Sequence, residues 1–356
     1  MSRRRWVGVA GVGAGALTAA AATAGLVARR RVARARRAGE RGALELGRLH
    51  GTESWVVTDD GLKLYAEIDE VAPYASEDAA ADPGAGAPTL VFVHGYGLNL
   101  ECWQVQRQYF RGKHRMLFFD QRSHGRSERS PKAHATIDQL GRDLLAVLDQ
   151  LVPEGRVVLL GHSMGGMSIM ALAEQHPELF GPRVAGTALL STTAGGMRTS
   201  NVLSPLIPES LGLTVGPRLI ASLARTPELV DGVRRRGSNL GFLITDKFAF
   251  GDDVPAAYVE FVDEMLSGTP FEVFADFFPE FDRLDKWPAL APLADVPTTV
   301  ICGTRDLLTP IGHSRKLASR IPGSRLVECH GAGHLVILEQ AERVNGALAE
   351  LFAAAS

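Results

Sequence analysis

The apolar positions of this chain switch between two periods. From residue 89 onward, short continuous apolar runs at 89–93, 116–119, 157–160, 184–190, 299–302 and 326–329 read as strands. Unbroken runs of that kind, rich in β-branched residues and bounded by turn signals, fit strands buried on both faces. Between them, apolar residues at helical spacing predict helices over 101–110, 136–151, 164–175, 313–320 and 339–354. The second of these opens on Thr136-Ile137-Asp138-Gln139, which has the form of a capping box. Upstream, 53–59 and 62–69 read as two strands joined at Asp60-Gly61, a hairpin signal, and 72–88 reads as an exposed loop. Alternating strand and helix, with fully apolar strands, predicts an α/β fold around a mostly parallel sheet covered on both faces. Ligands in such sheets bind beyond the carboxyl ends of the strands.

The alternation breaks between 193 and 297, a stretch far too long for a plain loop. It holds nine of the fifteen phenylalanines, from Phe242 to Phe281, and 255–266 has helical spacing. The expectation is an inserted helical lid, with the phenylalanines serving as its own core or as an apolar roof over a ligand site. The domains so predicted are an N-terminal segment over 1–48, a core over 49–192 and 298–356, and the lid over 193–297.

Composition narrows the class. With 46% hydrophobic and 22% charged residues the chain is ordinary globular protein, and three cysteines exclude a disulfide-built scaffold or a four-cysteine zinc site. Charge is uneven. Residues 1–48 carry eleven arginines against Glu40 and Glu45, a net +9, so the remainder holds −11 of a total of −2. A basic tail on an acidic body does not mark a nucleic-acid-binding protein.

Within that tail, residues 6–28 are uncharged, with nine alanines, five glycines and two leucines. As a helix the run would span roughly 34 Å, enough for a bilayer core of about 30 Å. Three readings compete: a single-pass membrane anchor, a twin-arginine-type export signal at Ser2-Arg3-Arg4-Arg5-Trp6-Val7 with cleavage near Ala22-Thr23-Ala24, and an alanine-rich surface helix. The block Arg29, Arg30, Arg31, Arg34, Arg36 and Arg37 resists translocation and favours the anchor. The same bias predicts a cell-membrane protein whose folded body faces the cytoplasm.

Three glycine-rich turns carry the chemistry. Gly161-His162-Ser163-Met164-Gly165 lies between a strand and a helix, the G-x-S-x-G form of a nucleophile turn. Larger residues at Gly161 or Gly165 would crowd the turn that lifts Ser163 clear of the sheet. A hydroxyl needs a base. Gly303-Thr304-Arg305-Asp306 and Gly331-Ala332-Gly333-His334 each follow a late strand, in the order serine, aspartate, histidine. His334 would take the Ser163 proton and Asp306 would fix the imidazole tautomer. Singly, Asp306 reads equally well as a turn carboxylate and His334 as a loop histidine. His94-Gly95-Tyr96-Gly97 follows the strand at 89–93, so the backbone N–H groups of Tyr96 and Met164 are the candidate oxyanion hole. His94 is read as structural, His162 is not assigned the base role because neighbours at such a turn diverge, and no pair of histidines has metal-ligand spacing on a helix.

The His94–Gly97 turn, the FFDQRSHGRS segment at 118–127, GHSMGG at 161–166, GTRDLLTP at 303–310 and GAGH at 331–334 resemble the α/β-hydrolase superfamily. The likeness is greatest to its lid-bearing serine esterases and lipases, of the monoacylglycerol-lipase-like kind. That resemblance implies an eight-stranded sheet, no cofactor, an acyl-serine intermediate, and a structural role for Asp120, Arg122, Gly125 and Ser127. A serine at 163 argues against the aspartate-dependent epoxide and dehalogenase branches. The expected activity is hydrolysis of small-molecule carboxylic esters with an apolar acyl group, lipids included. The alternatives are C–C or amide hydrolysis, haloperoxidase- or perhydrolase-like chemistry, and a non-catalytic ligand-binding protein. Cys102, Cys302 and Cys329 read as small buried apolar residues.

Overall fold

The structure is a computed structural model describing residues 46–71, 86–197 and 245–356. The apolar run at 6–28, most of the 72–88 loop and the first half of the insertion lie outside the described residues. Among those described, no helix is long and apolar enough to cross a membrane.

Eight strands form one sheet: β1 (Thr52–Val57), β2 (Lys63–Asp69), β3 (Thr89–Val93), β4 (Met116–Phe119), β5 (Val157–His162), β6 (Val184–Leu190), β7 (Thr298–Gly303) and β8 (Arg325–Cys329), in the order β1-β2-β4-β3-β5-β6-β7-β8. β2 runs antiparallel to both its neighbours, and β4 through β8 are mutually parallel. Every residue of β3 to β7 is buried, which is why these strands appear as continuous apolar runs. β1 lies at an edge, and Trp55 and Val57 on it stay exposed.

Helices α1 (Gln104–Phe110), α2 (Ile137–Leu151), α3 (Met164–Gln175), α4 (Ala256–Gly268), α5 (Phe271–Arg283), α6 (Ile311–Arg320), α7 (Val336–Glu339) and α8 (Ala341–Ala355) cover the sheet. Phe110 of α1 and Leu348 and Phe352 of α8 pack on one face; Leu144 and Leu148 of α2, Ile169 of α3 and Leu317 of α6 pack on the other. The two inserted helices divide between these clusters. Val259, Val262 and Met265 of α4 join the first, and Val273, Phe277 and Phe281 of α5 join the second. The pair therefore straddles the sheet.

Several boundaries differ from the sequence pattern for identifiable reasons. The predicted 101–110 helix begins as a 3-10 turn, Leu100–Trp103, capped by the Asn99 side chain. The predicted 339–354 helix begins at Ala341, because Gln340 leaves helical geometry at φ −127 and ψ 49 and Glu339 ends the short helix before it. The 136–151 segment behaves as its capping box suggests: Thr136 Oγ1 accepts the N–H of Gln139 at 3.1 Å. Helix α5 has no counterpart in the sequence reading. Pro279 inside it masks the helical spacing of Phe271, Phe274, Phe278 and Phe281.

After β4 the chain makes the turn that braces the site. Arg122, fully buried, donates to Asp143 Oδ2 at 2.5 Å and Oδ1 at 2.6 Å, and to Asp60 and Ser130 Oγ at about 3.0 Å. Gly125 sits at φ 52, where a Cβ would lie 2.1 Å from Asp120 Oδ2. Asp120 accepts the N–H groups of Leu100 and Arg126, both at 2.8 Å, and Ser127 Oγ donates to Asp120 O at 2.6 Å. Arg122→Met would leave Asp143 charged, buried and without its cation, an effect of about 3–5 kcal/mol. Urea unfolding at neutral pH should read a destabilisation in that range.

Candidate active site

The serine turn lies between β5 and α3. Ser163 has φ 54 and ψ −117, a conformation non-glycine residues seldom adopt. The turn is closed on both sides. A Cβ at Gly161 would meet Gly166 N at 2.5 Å, and one at Gly165 would meet Val93 O at 2.2 Å. Ser163 O accepts the N–H of Gly166 at 3.0 Å, and the N–H of Met164 opens α3, where no intrahelical acceptor exists for it.

The turn after β3 lies directly against this serine. A Cβ at Gly95 would stand 3.1 Å from Ser163 Cβ and 2.8 Å from His162 Nδ1. His94 fixes the turn from behind. Its Nε2 accepts the N–H of Gln121 at 2.9 Å, so the ring proton is on Nδ1, which donates to Gly95 O at 2.8 Å. Gln121 in turn donates to His94 O at 2.7 Å and accepts from Ser168 Oγ of α3 at 2.7 Å. Thus β3, β4 and α3 share one buried network beneath the Tyr96 turn. The inserted helices grip the same turn from above. Tyr96 OH donates to Phe274 O at 2.5 Å, and Thr269 Oγ1 donates to Gly97 O at 3.0 Å.

The later strand ends supply a paired acid and imidazole. His334 Nδ1 lies 2.9 Å from Asp306 Oδ2, with both side chains buried. Asp306 also accepts the N–H groups of Leu308 at 2.9 Å and Thr309 at 2.8 Å, and the Thr309 hydroxyl at 2.8 Å. Burial alone would raise the Asp306 pKa. The His334 charge and hydrogen bond, with the Thr309 donors, outweigh it and hold the carboxyl below its ordinary range. With Nδ1 committed to Asp306, Nε2 of the neutral ring is the free basic nitrogen. His162, next to Ser163 in sequence, donates from Nε2 to His334 O at 3.0 Å, and the two rings lie 4.9 Å apart. This bond draws the His334 turn against the serine turn. Cys102, Cys302 and Cys329 are buried free thiols.

Sequence reasoning missed the polar cluster at the β2 edge. Arg107 of α1 is buried against Asp69 at 2.8 Å and Glu67 at 2.6 Å. His50, Glu67 and Glu101 bring ligand-type atoms within 4.8 Å of one another. Glu67 is already occupied by Tyr65 OH at 2.9 Å, Gly51 N–H at 2.9 Å and Arg107, so the group is an ion-pair network. Alternation in β2 carried no warning of it, because charged residues there are inward-facing.

A parallel sheet whose strands end in these turns is the scaffold of an α/β-type hydrolytic enzyme. The sequence pattern of the alpha/beta hydrolase family matches residues 90–347, and the chain belongs to that family. It is 30% identical over 266 residues to 3-oxoadipate enol-lactonase 2 of Acinetobacter baylyi, covering 74% of this chain and 88% of that protein. It is 28% identical to the 2-hydroxy-6-oxononadienedioate/2-hydroxy-6-oxononatrienedioate hydrolase of Cupriavidus pinatubonensis, over 74% of this chain and 86% of the relative. Among solved structures, the enol-lactonase from Burkholderia xenovorans LB400 superposes with a TM-score of 0.65 at 25% identity, covering 84% of this chain and all of the other.

Three histidines are buried neutral around the site. Burial pushes His162 down to about 3 and His124 down to about 4, and burial with the neighbouring His124 lowers His94 well below 6.5. The unfolded chain, with ordinary histidines, therefore binds more protons below about pH 6.5, and stability falls as pH falls through that range. Asp120 acts in the opposite direction. Burial raises it to about 7, so the folded chain binds that proton more tightly. A comparison of variants isolates the histidine. Relative to wild type, His124→Asn should gain about 1.4 kcal/mol per pH unit between pH 6.5 and about 4, read from urea unfolding at several pH values.

Proposed function

We propose that this chain is a serine hydrolase that cleaves carboxylic esters with an apolar acyl group. Ser163 is the nucleophile, His334 the general base and Asp306 the acid that orients it. The reading rests on the 2.9 Å contact of His334 Nδ1 with Asp306, in a turn tied to the serine turn by the 3.0 Å bond from His162 Nε2 to His334 O, and on a serine held at positive φ. In the reaction, Ser163 Oγ attacks the ester carbonyl as its proton passes to His334 Nε2. The tetrahedral oxyanion is received by the backbone N–H groups of Tyr96 and Met164. His334 returns the proton to the leaving alcohol, and water then releases the acid from the acyl-serine by the same steps.

An apolar acyl group is favoured by what stands over the oxyanion turn. A Cβ at Gly97 would meet Phe274 Cε1 at 2.6 Å and Leu266 Cδ2 at 2.9 Å. The insertion over 193–297 acts as the lid that carries these side chains. A second reading, hydrolysis of a C–C bond in a diketone-like acid, is supported by the Cupriavidus relative. Cyclic esters fall within the first reading, as the lactonase relative suggests.

Ser163→Ala tests the proposal on p-nitrophenyl esters of rising chain length. Turnover should fall by about 10⁴-fold or more. Wild type should prefer acyl groups longer than acetate and label with a fluorophosphonate at Ser163. Undiminished turnover in the variant would reject the serine mechanism, and a preference for acetate would reject the apolar pocket. Membrane attachment through residues 6–28 rests on the charge pattern of the sequence alone. It predicts that the native protein retains those residues, which mass measurement of its N-terminus checks; a start after Ala24 would mean a cleaved signal.

A further inference from the structure

The turn that carries His334 has no regular structure on either side until α7 begins at Val336. Asp306 holds the ring, but something else must hold the backbone. The N–H of Gly333, immediately before His334, donates to Glu339 Oε1 at 2.6 Å. The other oxygen of that carboxylate accepts from the strap that leads into the inserted helices: Gly251 N–H at 2.9 Å and Asp252 N–H at 3.4 Å. One half-buried side chain thus receives hydrogens from two segments more than 80 residues apart.

The two segments are in backbone contact. A Cβ at Gly251 would lie 2.2 Å from Gly331 O, and one at Gly333 would lie 2.5 Å from Gly251 N. Leu335 N–H, on the other side of His334, donates to Ala249 O at 2.8 Å. A second tie runs through Arg305, the residue before Asp306. Its guanidinium donates to Gly251 O at 3.2 Å and pairs with Asp252, while its own N–H donates to Ala332 O at 2.9 Å. The strap is therefore sewn to the turn of the acid and to the turn of the base.

We propose that Glu339 is a positioning residue: its carboxylate buckles the strap at 249–252 to the His334 turn and thereby sets the imidazole against Asp306. The proposal rests on the serine-hydrolase reading for its rate effects. Without the buckle, the buried N–H of Gly333 has lost its acceptor and the turn shifts. Displacements of about 1 Å at a reacting group lower rates by about a hundredfold. The buckle also makes placement of the base depend on placement of the insertion.

The test compares Glu339→Gln with wild type in the full chain. The amide keeps the size but offers one acceptor, and its NH2 opposes the remaining N–H. On p-nitrophenyl butyrate, kcat should fall by about 10- to 100-fold with KM changed less than about twofold. The low-field proton resonance of the His334 Nδ1–H···Asp306 bond, read without substrate and assigned by its loss in Asp306→Asn, should broaden or vanish. Gly251→Ala, which forces the strap off the turn while leaving Glu339 intact, should do the same. The double variant should lose no more than the worse single one, because both break one contact. Wild-type kcat in Glu339→Gln, or a lost rate with the resonance unchanged, would overturn the proposal. Should Glu339→Gln fail to fold, Gly251→Ala decides by the same criteria. If wild type hydrolyses no ester, the serine-hydrolase reading fails, while the resonance still decides the role of Glu339.

Discussion

Backbone packs against backbone at the carboxyl ends of β3 and β5, and again at those of β7 and β8, and the proposed site depends on that closeness. Gly165 faces the carbonyls of Val93 and His94, and Gly303 faces those of Ala332 and Gly333. The serine turn thus lies against the turn after β3, the turns of Asp306 and His334 lie against each other, and the His162 side chain ties the second pair to the first through His334 O. The arrangement has an energetic consequence. Turns that pack this tightly must satisfy their peptide groups through each other or through buried side chains. His94, His162, Gln121 and Glu339 do that here, each bonding to backbone of a neighbouring turn.

Desolvation then sorts these side chains into roles. His162 and His334 lie 4.9 Å apart, yet burial lowers His162 to about 3, so its neutral ring serves to hold the His334 carbonyl and is unsuited to the base role proposed for His334. Asp306, equally buried, keeps its charge because four donors converge on it. The same physics sets the antiparallel edge of the sheet. Arg107 and Arg122 are buried only because carboxylates are buried with them. Such pairs add little net stability over apolar packing, but removing one partner is severe.

The fold was legible where one physical requirement dominated. Strands β3 to β7 are buried on both faces, so apart from His162 and four threonines their residues are apolar or glycine and the runs stood out. The two late turns pointed to one end of the sheet, and the structure joins Asp306 to His334 there; their catalytic roles are the proposal. Legibility failed where two requirements met in one segment. Helix α5 satisfies the packing of Phe277 and Phe281 while tolerating Pro279, and a breaker signal hid the spacing. The strap at 249–252 has no periodicity at all. Gly251 was its only local mark, and its reason for being glycine lies 80 residues away at Gly331. Glu339 looked like the first residue of a helix, when its carboxylate is an acceptor for three peptide N–H groups.

These constraints also say where specificity can reside. The turns at the sheet end cannot vary, because a single added carbon at Gly95, Gly161, Gly165 or Gly303 would enter a neighbouring backbone or ring. The inserted helices are different. They touch the Tyr96–Gly97 turn through side chains, Phe274 and Leu266 over Gly97 and Phe281 on Tyr96, and side chains can be exchanged without moving the backbone beneath. Exchange at these positions is a physical route by which one family can include both an enol-lactonase and a 2-hydroxy-6-oxononadienedioate hydrolase. Under the proposed reading, substrate choice would reside in the faces of α4 and α5 that meet Tyr96 and Gly97, and the reaction in the turns under them.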